Sequence, residues 1–378
     1  MYHIQNDAII FHNKFNHQLS PPIIEDLKTV KKIIFGKNFN RSTKNIPYNI
    51  EEITFGINFK KSLNNLPLSI KKITLLGDYD KSLSNLPPHL ISFKSKSRLF
   101  SPIDNLPNSL KKCNLDIYCL DSIDNLPANL ETFKIFADDS MSFNNLPSNL
   151  KKLKLTGYCP NLNNLPQSIT SLKIDFICDF QIKNLPPNLQ ELSIICENEY
   201  LPTLSTSLKS LSIKNYSNQQ IPNLPESLEL LNLGSNFNGP LDNLPKNLKY
   251  LYFGTTFNQP INNIPNSVQV ISLIGCKLNV YQSFFSESLK NLPKNLKFLY
   301  LNVDYIFNVK KNLSKKLLDD YQEMMRLIKE ITISKGLKYD DYEVTIIGKK
   351  DELFRIFQFK NIHNTLPDET YELEKDSY

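Results

Sequence analysis

The chain has 378 residues, of which 40% are hydrophobic, with a net charge of +6 and a pI near 8.7. That hydrophobic fraction suffices for a continuous core, and the mild basicity fits an acidic partner while falling far short of a nucleic-acid-binding composition. No stretch approaches a membrane span, and Met1 to Asn16 lacks the charged region and apolar run of a secretory signal, so an intracellular chain is expected.

Residues 1–29 read as an N-terminal cap, with a first strand at Ala8–Phe11. A degenerate first repeat follows: Val30, Ile33 and Phe35 sit where the next copy has Ile50, Ile53 and Phe55. From there Asn-Leu-Pro or Asn-Ile-Pro recurs, at Pro47, Pro67, Pro87, Pro107, Pro127, Pro147, Pro166, Pro186, Pro225, Pro245, Pro265 and Pro293. Ser205 takes the proline's place in one worn copy. The step is 20 residues, sometimes 19 and once 28. A fixed period of this length marks a repeat protein. Residues 30–301 are therefore assigned to one solenoid of about fourteen repeats.

Positions are counted from each proline. Apolar residues fall at +3, +6, +8, often +12, +16 and +19; in one copy these are Leu248, Leu251, Phe253, Phe257, Ile261 and Ile264. The +6/+8 pair has the period of a strand. Pairs run from Ile53/Phe55 to Leu299/Leu301, and one copy is half spoiled, with Phe93 followed by Ser95. One short strand per repeat, always pointing the same way, predicts a parallel sheet on one face, roughly 60 Å or more long. Twenty residues leave no room for a full helix on the return side. The asparagine two before each proline (Asn45, Asn65, Asn85 and onward) is expected to form a buried ladder satisfying turn backbone groups.

The segment Ile274–Glu287, with Phe284-Phe285, reads as an insertion. Residues 302–378 are expected to form a mixed α/β C-terminal cap. It comprises a helix carrying Leu313, Leu317, Tyr321 and Ile328 behind an N-cap at Ser314, a strand at Tyr342–Ile347, an ambiguous Glu352–Phe359 and a loose acidic tail from Asp368. Such a cap protects the last strand edge.

Phe257-Asn258-Gln259-Pro260-Ile261-Asn262-Asn263-Ile264-Pro265 resembles the FNIP repeat, and Phe237-Asn238-Gly239-Pro240-Leu241-Asp242-Asn243-Leu244-Pro245 resembles it too. The resemblance covers roughly residues 30–301. It implies a leucine-rich-repeat-like solenoid, a source among social amoebae or their giant viruses, action in the host or amoebal cytoplasm, and no catalytic motif. Some proteins of this kind carry an F-box ahead of the repeats, which implies a ubiquitin-ligase substrate adaptor as an alternative. Residues 1–29 are short for an F-box.

No catalytic residue, cofactor site or metal site stands out. His3, His12, His17, His89 and His363 have no metal-ligand spacing, and there is no glycine-rich phosphate loop. Cys113, Cys119, Cys159, Cys178, Cys196 and Cys276 form no CxxC pair and read as reduced thiols, with Cys113 in a core slot. Asp138-Asp139, Asp319-Asp320 and Asp340-Asp341 read as solvated.

Positions +5 and +7 flank the buried pair and are expected to face solvent. In the first half they carry a basic stripe, Lys72, Lys94, Lys112, Lys134, Lys152, Lys154 and Lys173. Later they turn apolar, with Leu230, Tyr250, Tyr252, Val270, Phe298 and Tyr300. This predicts a monomeric, non-enzymatic scaffold that binds a protein on the aromatic half of the sheet face. Burial of that half under the C-terminal cap is the bland alternative. Weak polyanion binding by the lysines is a further alternative, and nucleic acid is disfavoured as a partner.

Overall fold

The computed structural model describes residues 1–117, 123–137, 141–158, 162–177, 185–195, 203–214, 221, 223–254, 256–257, 259–273, 292–296, 298–302, 342–347 and 354–359. The chain divides into two units, Met1–Tyr216 and Ser217–Tyr378.

The first unit opens with β1 (Tyr2–Gln5) and β2 (Ala8–Phe11), joined by a tight hairpin in which Asn6 and Asp7 take φ of 48° and 59°. Two successive positive φ values at Asn and Asp match the right-handed twist of the strands they join. A seven-residue helix, α1 (Pro21–Leu27), follows and buries Ile23 and Leu27. Its first turn is made of Pro21 and Pro22, whose fixed φ suits a helix start. The Tyr2 hydroxyl donates to the Asp26 carboxylate and ties the hairpin to the helix.

Ten more strands run in parallel succession: β3 (Lys32–Ile34), β4 (Glu52–Phe55), β5 (Lys72–Leu75), β6 (Ser92–Leu99), β7 (Lys112–Ile117), β8 (Thr132–Ala137), β9 (Lys152–Gly157), β10 (Ser171–Ile177), β11 (Glu191–Ile195) and β12 (Ser210–Lys214). Each pairs with the next, starting from β2. β1 lies antiparallel on β2 and closes the starting edge.

In the second unit, β13 (Leu230–Asn232), β14 (Tyr250–Tyr252), β15 (Val270–Leu273) and β16 (Phe298–Asn302) continue the parallel pattern. Then β18 (Phe354–Phe359) lies antiparallel on β16, and β17 (Tyr342–Ile347) antiparallel on β18. The ambiguous Glu352–Phe359 stretch is thus a strand over most of its length. The insertion at Ile274–Glu287, the helix expected around Ser314 and the acidic tail lie outside the described residues.

The +6 residues stack in register from Ile53 through Ile73, Phe93, Cys113, Phe133, Leu153, Leu172 and Leu192 to Leu211, each at most 1% exposed. Alternation along the strand puts +6 and +8 inside, and stacking of identical coils makes the core continuous. Burial pushes the Cys113 thiol well up from its ordinary value, as for an inert core residue. Ser95, in the spoiled +8 slot, is buried, and its hydroxyl donates to the Ser97 carbonyl at 2.7 Å.

Each proline begins a turn whose closing bond is donated by the +3 amide to the proline carbonyl, as in Ile50 to Pro47 at 3.3 Å and Leu150 to Pro147 at 3.0 Å. The proline ring supplies φ, and its missing amide leaves nothing unpaired there. Because the bond uses only a carbonyl, Ser205 does the same work: Leu208 donates to it at 3.1 Å.

The buried asparagine ladder expected two residues before each proline is not found. Asn45, Asn65, Asn85, Asn105, Asn125, Asn145, Asn164, Asn243 and Asn263 are all exposed, on the outer turn. The bonds that reach backbone carbonyls of the preceding coil come from position +2 instead. Ser69, Ser109 and Ser168 donate to the +3 carbonyls of the preceding coil at 2.7–2.8 Å (Ile50, Leu90, Leu150). Asn129, Asn149 and Asn247 reach the +1 carbonyls Asn108, Ala128 and Glu226 at 2.9, 3.1 and 2.9 Å. Asn49 holds two carbonyls, Leu27 at 2.9 Å and Val30 at 2.6 Å. A second ladder uses the asparagine after the +12 phenylalanine: Asn16 Oδ1 accepts from the Asn40 amide and Asn40 Oδ1 from the Lys60 amide, both at 3.0 Å. The motif asparagine sits exposed on the outer turn, and at Asn145 and Asn164 its amide donates to Asp124 Oδ1 and Asn144 Oδ1 of the preceding coil at 2.9 and 3.0 Å. The +2 side chain points along the stack and finds carbonyls that no strand ladder reaches. Asn49→Ala is therefore expected to cost about 1–3 kcal/mol by removing both bonds, leaving the Leu27 carbonyl with only the Val30 amide at 3.5 Å. Asn65→Ala is expected to stay within about 0.5 kcal/mol. Urea unfolding of both variants checks the ranking, and a costlier Asn65→Ala would restore the original ladder.

Two coil types emerge. Where glycine stands at +9, as in β3, β4, β13 and β14, the strand has three or four residues, and so does β5 with Gly77 at +10, whereas β9 runs six residues and ends on Gly157 at +10. Where it is replaced at +9, as by Lys96, Asp116 and Phe136, the strand runs six to eight residues, in β6, β7 and β8. A Cβ on Gly36, Gly56, Gly77 or Gly254 would meet a backbone carbonyl oxygen of the preceding coil at 2.5, 2.1, 1.9 and 2.0 Å. Glycine lets the backbone turn inward against its neighbour, which folds the +12 ring over the +8 ring. Phe35/Phe39, Phe55/Phe59 and Phe253/Phe257 stack at 3.7, 3.9 and 3.9 Å. From coil to coil the +12 rings stack too, Phe15, Phe39, Phe59 and Tyr79 in turn at 6.0, 6.2 and 6.4 Å.

Candidate functional site

Position +7 forms a row across the first unit, in which Lys94, Asn114, Lys134, Lys154, Lys173 and Ser193 are successive strand partners. Lys112 and Lys152 lie in the neighbouring +5 row, on either side of Thr132. Stacking identical coils converts residues a repeat apart into neighbours about 4.8 Å apart. Lys94, Lys134 and Lys154 are half-buried, while Lys72, Lys112, Lys152 and Lys173 are exposed.

The lysines of the solenoid fall into two electrostatic classes. Some alternate with glutamates of adjacent coils. Glu51 lies 3.7 Å from Lys31 and 2.7 Å from Lys71. Glu131 lies 3.6 Å from Lys111 and 3.3 Å from Lys151. The bond from Lys71 helps hold the Glu51 carboxyl below its ordinary value, and Lys151 does the same for Glu131. Lys72 of the expected basic stripe belongs to this class, paired with Glu52. These pairs are exposed and contribute little stability singly.

The other class is not alternated. Among the described residues no ion pair involves Lys94, Lys112, Lys134, Lys152 or Lys173. Burial, with Lys96 and Lys134 adding like charge, holds the Lys94 ammonium below its ordinary value. Lys154 is served by Asp175 at 2.5 Å, and Asp175 also meets Lys214 at 3.2 Å. Burial works to raise the Asp175 carboxyl, yet the two lysines outweigh it and hold the carboxyl below its ordinary value. Lys96, Asp175 and Lys214 all occupy +9. Sequence reasoning missed them because it ended each strand at +8. Loss of the +9 glycine was the available signal, since it lengthens the strand and adds that position to the sheet face.

In the second unit, β-pairing aligns Leu230, Tyr250, Val270 and Phe298 at +5, and Asn232, Tyr252, Ser272 and Tyr300 at +7. Leu230, Tyr250 and Tyr252 are half-buried. Val270 departs from the expected exposure, at 8%. The side chains of Phe298 and Tyr300 lie outside the described residues.

The His3 and His12 rings lie 5.9 Å apart across the N-terminal hairpin. Among the described residues no group of three or more His, Cys, Asp or Glu side chains could hold a metal ion. No helix among them is long and apolar enough to cross a membrane.

Comparison with known proteins bears on this architecture. No curated protein sequence matches the chain. Among solved structures, YopM from Yersinia enterocolitica WA-314 is similar over 72% of this chain and 83% of its own, at 18% identity and a TM-score of 0.29. Residues 237–276 match the family described as FNIP Repeat. That segment begins on Phe237, whose ring stacks on Phe257 at 6.0 Å, so the family's opening phenylalanine is the +12 spine residue. Residues 237–276 thus carry FNIP repeat sequence, and the described repeat strands of each unit pair in the parallel manner of a β-solenoid.

Proposed function

We propose that the chain is a non-enzymatic interaction scaffold that docks a protein partner on the sheet face of its second unit. Stacked repeats offer extended, shallow surfaces suited to another macromolecule. The observation that carries the reading is the register of β13 to β15, which sets Tyr250 and Tyr252 beside Leu230 on the sheet face, with the buried Val270 next in the row. Amphipathic aromatic residues clustered on a surface favour protein contact, because each offers a large apolar area with a polar handle. The C-terminal segment serves as a cap in this reading: β18 pairs along the outer edge of β16 and so prolongs the sheet.

The test uses the full chain as bait in affinity capture with mass spectrometry. Replacement of Tyr250 and Tyr252 by Ser is expected to abolish recovery of the proteins held by the wild type while leaving the far-UV spectrum unchanged. Undiminished recovery overturns the proposal. Collapse of the folded state in the variant overturns it as well, because it assigns the two rings to the packing of the second unit.

A further inference from the structure

The geometry points to a second docking surface: the lysine rows between β6 and β10 bind a short acidic polypeptide segment. This surface is independent of the aromatic patch, since it lies in the first unit and rests on different residues.

The contrast between the two lysine classes carries the argument. Elsewhere on this solenoid a glutamate from an adjacent coil neutralises lysines, as Glu51 does for Lys31 and Lys71. On the +7 row only Lys154 meets a carboxylate of an adjacent coil, Asp175. Lys134, Lys154 and Lys173 stand on three successive strands, and Lys94 lies two strands from Lys134, across Asn114. Like charges at one strand separation, as at Lys134, Lys154 and Lys173, repel. A fold that can place alternating charges at this spacing, and does so at Glu131, sets no glutamate in this row.

The occupant is identified by chemistry. The row already accepts one carboxylate, Asp175, which bridges Lys154 and Lys214. Carboxylates therefore fit the spacing. Between β4 and β12 positions +5 and +7 carry no aromatic residue, and Phe136 at +9 of β8 is half-buried with its ring edge-on to Tyr158 at 6.3 Å, so there is no row of base-stacking platforms like that of single-stranded nucleic-acid binders. The basic stretch is also bounded, by Glu52 on one side and Glu191 on the other. From β6 to β10 are four strand spacings, about 19 Å, the reach of roughly six extended residues. A long polyanion would run onto the flanking glutamates, whereas a short acidic segment would not.

Fluorescence anisotropy of the full chain with a labelled oligoglutamate of about ten residues tests this, with a labelled oligothymidylate of similar charge as second probe. The oligoglutamate is expected to bind, more weakly as salt rises, and the oligothymidylate to bind at least about tenfold less tightly. Joint Lys94→Asn and Lys134→Asn, which repeats the residue that Asn114 already supplies in this row, is expected to weaken oligoglutamate at least about tenfold. The matched change at Lys31 and Lys71 is expected to shift it by less than about twofold. Absence of oligoglutamate binding, oligothymidylate binding as tight or tighter, or equal losses in the two lysine pairs each overturns the inference. The ranking of the two probes on the wild-type chain decides even where a variant fails to fold.

Discussion

Phe59→Ala is expected to destabilise the first unit by about 3–5 kcal/mol, the range for emptying a buried aromatic site. Phe59 is fully buried. Its ring stacks on Phe55 at 3.9 Å within its own coil, and on Phe39 and Tyr79 at 6.2 and 6.4 Å in the coils on either side. Truncation therefore opens a cavity between three coils at once, and the stacked rings cannot close it without breaking the strand register. Phe59→Leu retains most of the volume and is expected to cost less than about 1.5 kcal/mol. Because each coil contacts only its neighbours, the loss should be local. Hydrogen exchange is expected to quicken first at the Asn58 amide, which donates to the Lys37 carbonyl at 3.0 Å, and at Phe59 itself. Urea unfolding followed by circular dichroism measures the total. An unchanged midpoint for Phe59→Ala would show that the spine is ornamental.

Gly56→Ala is expected to cost about 1–3 kcal/mol although it adds one methyl group. The new Cβ would lie 2.1 Å from the Gly36 carbonyl oxygen and 2.6 Å from its carbon. Both are backbone atoms, so no side chain can swing away; a coil must shift along the stack. That shift would separate Phe55 from Phe59, since the same inward turn of the chain brings those rings together. Lys96→Ala changes the equivalent +9 position of a long-strand coil, where the side chain is exposed, and is expected to stay within about 0.5 kcal/mol. Equal effects at Gly56 and Lys96 on the urea midpoint would refute the division into two coil types. So would a stabilised Gly56→Ala, which would mean that the backbone entropy of glycine outweighs the contact.

Which features were legible in the chain follows from how far apart the responsible residues lie. The strand pairs, such as Ile53/Phe55 and Leu251/Phe253, sit within three residues and repeat every coil, so local alternation and the period together yield a parallel sheet. The proline turns and the buried leucine before most prolines are legible for the same reason. The +12 phenylalanines are visible as a recurring word, and their pairing with the +9 glycine lies within four residues. The reason for that pairing does not, because the crowding atom at Gly56 belongs to Gly36, in the previous coil.

The sequence by itself determined the period, the strand of each coil, the direction of the sheet and the apolar slots, because these depend on spacing along one chain. Only the tertiary structure decided what the constant asparagines do. A polar residue at every turn reads the same whether it faces water or the stack, and it is the +2 side chain, as at Asn49, that bridges coils. It also decided which lysines are paired. Lys72 and Lys112 both stand at +5, but stacking sets Glu52 beside the first and Ser92 and Thr132 beside the second. Charges a full repeat apart become partners only when the coils stack, and that is where the spent lysines separate from the available ones.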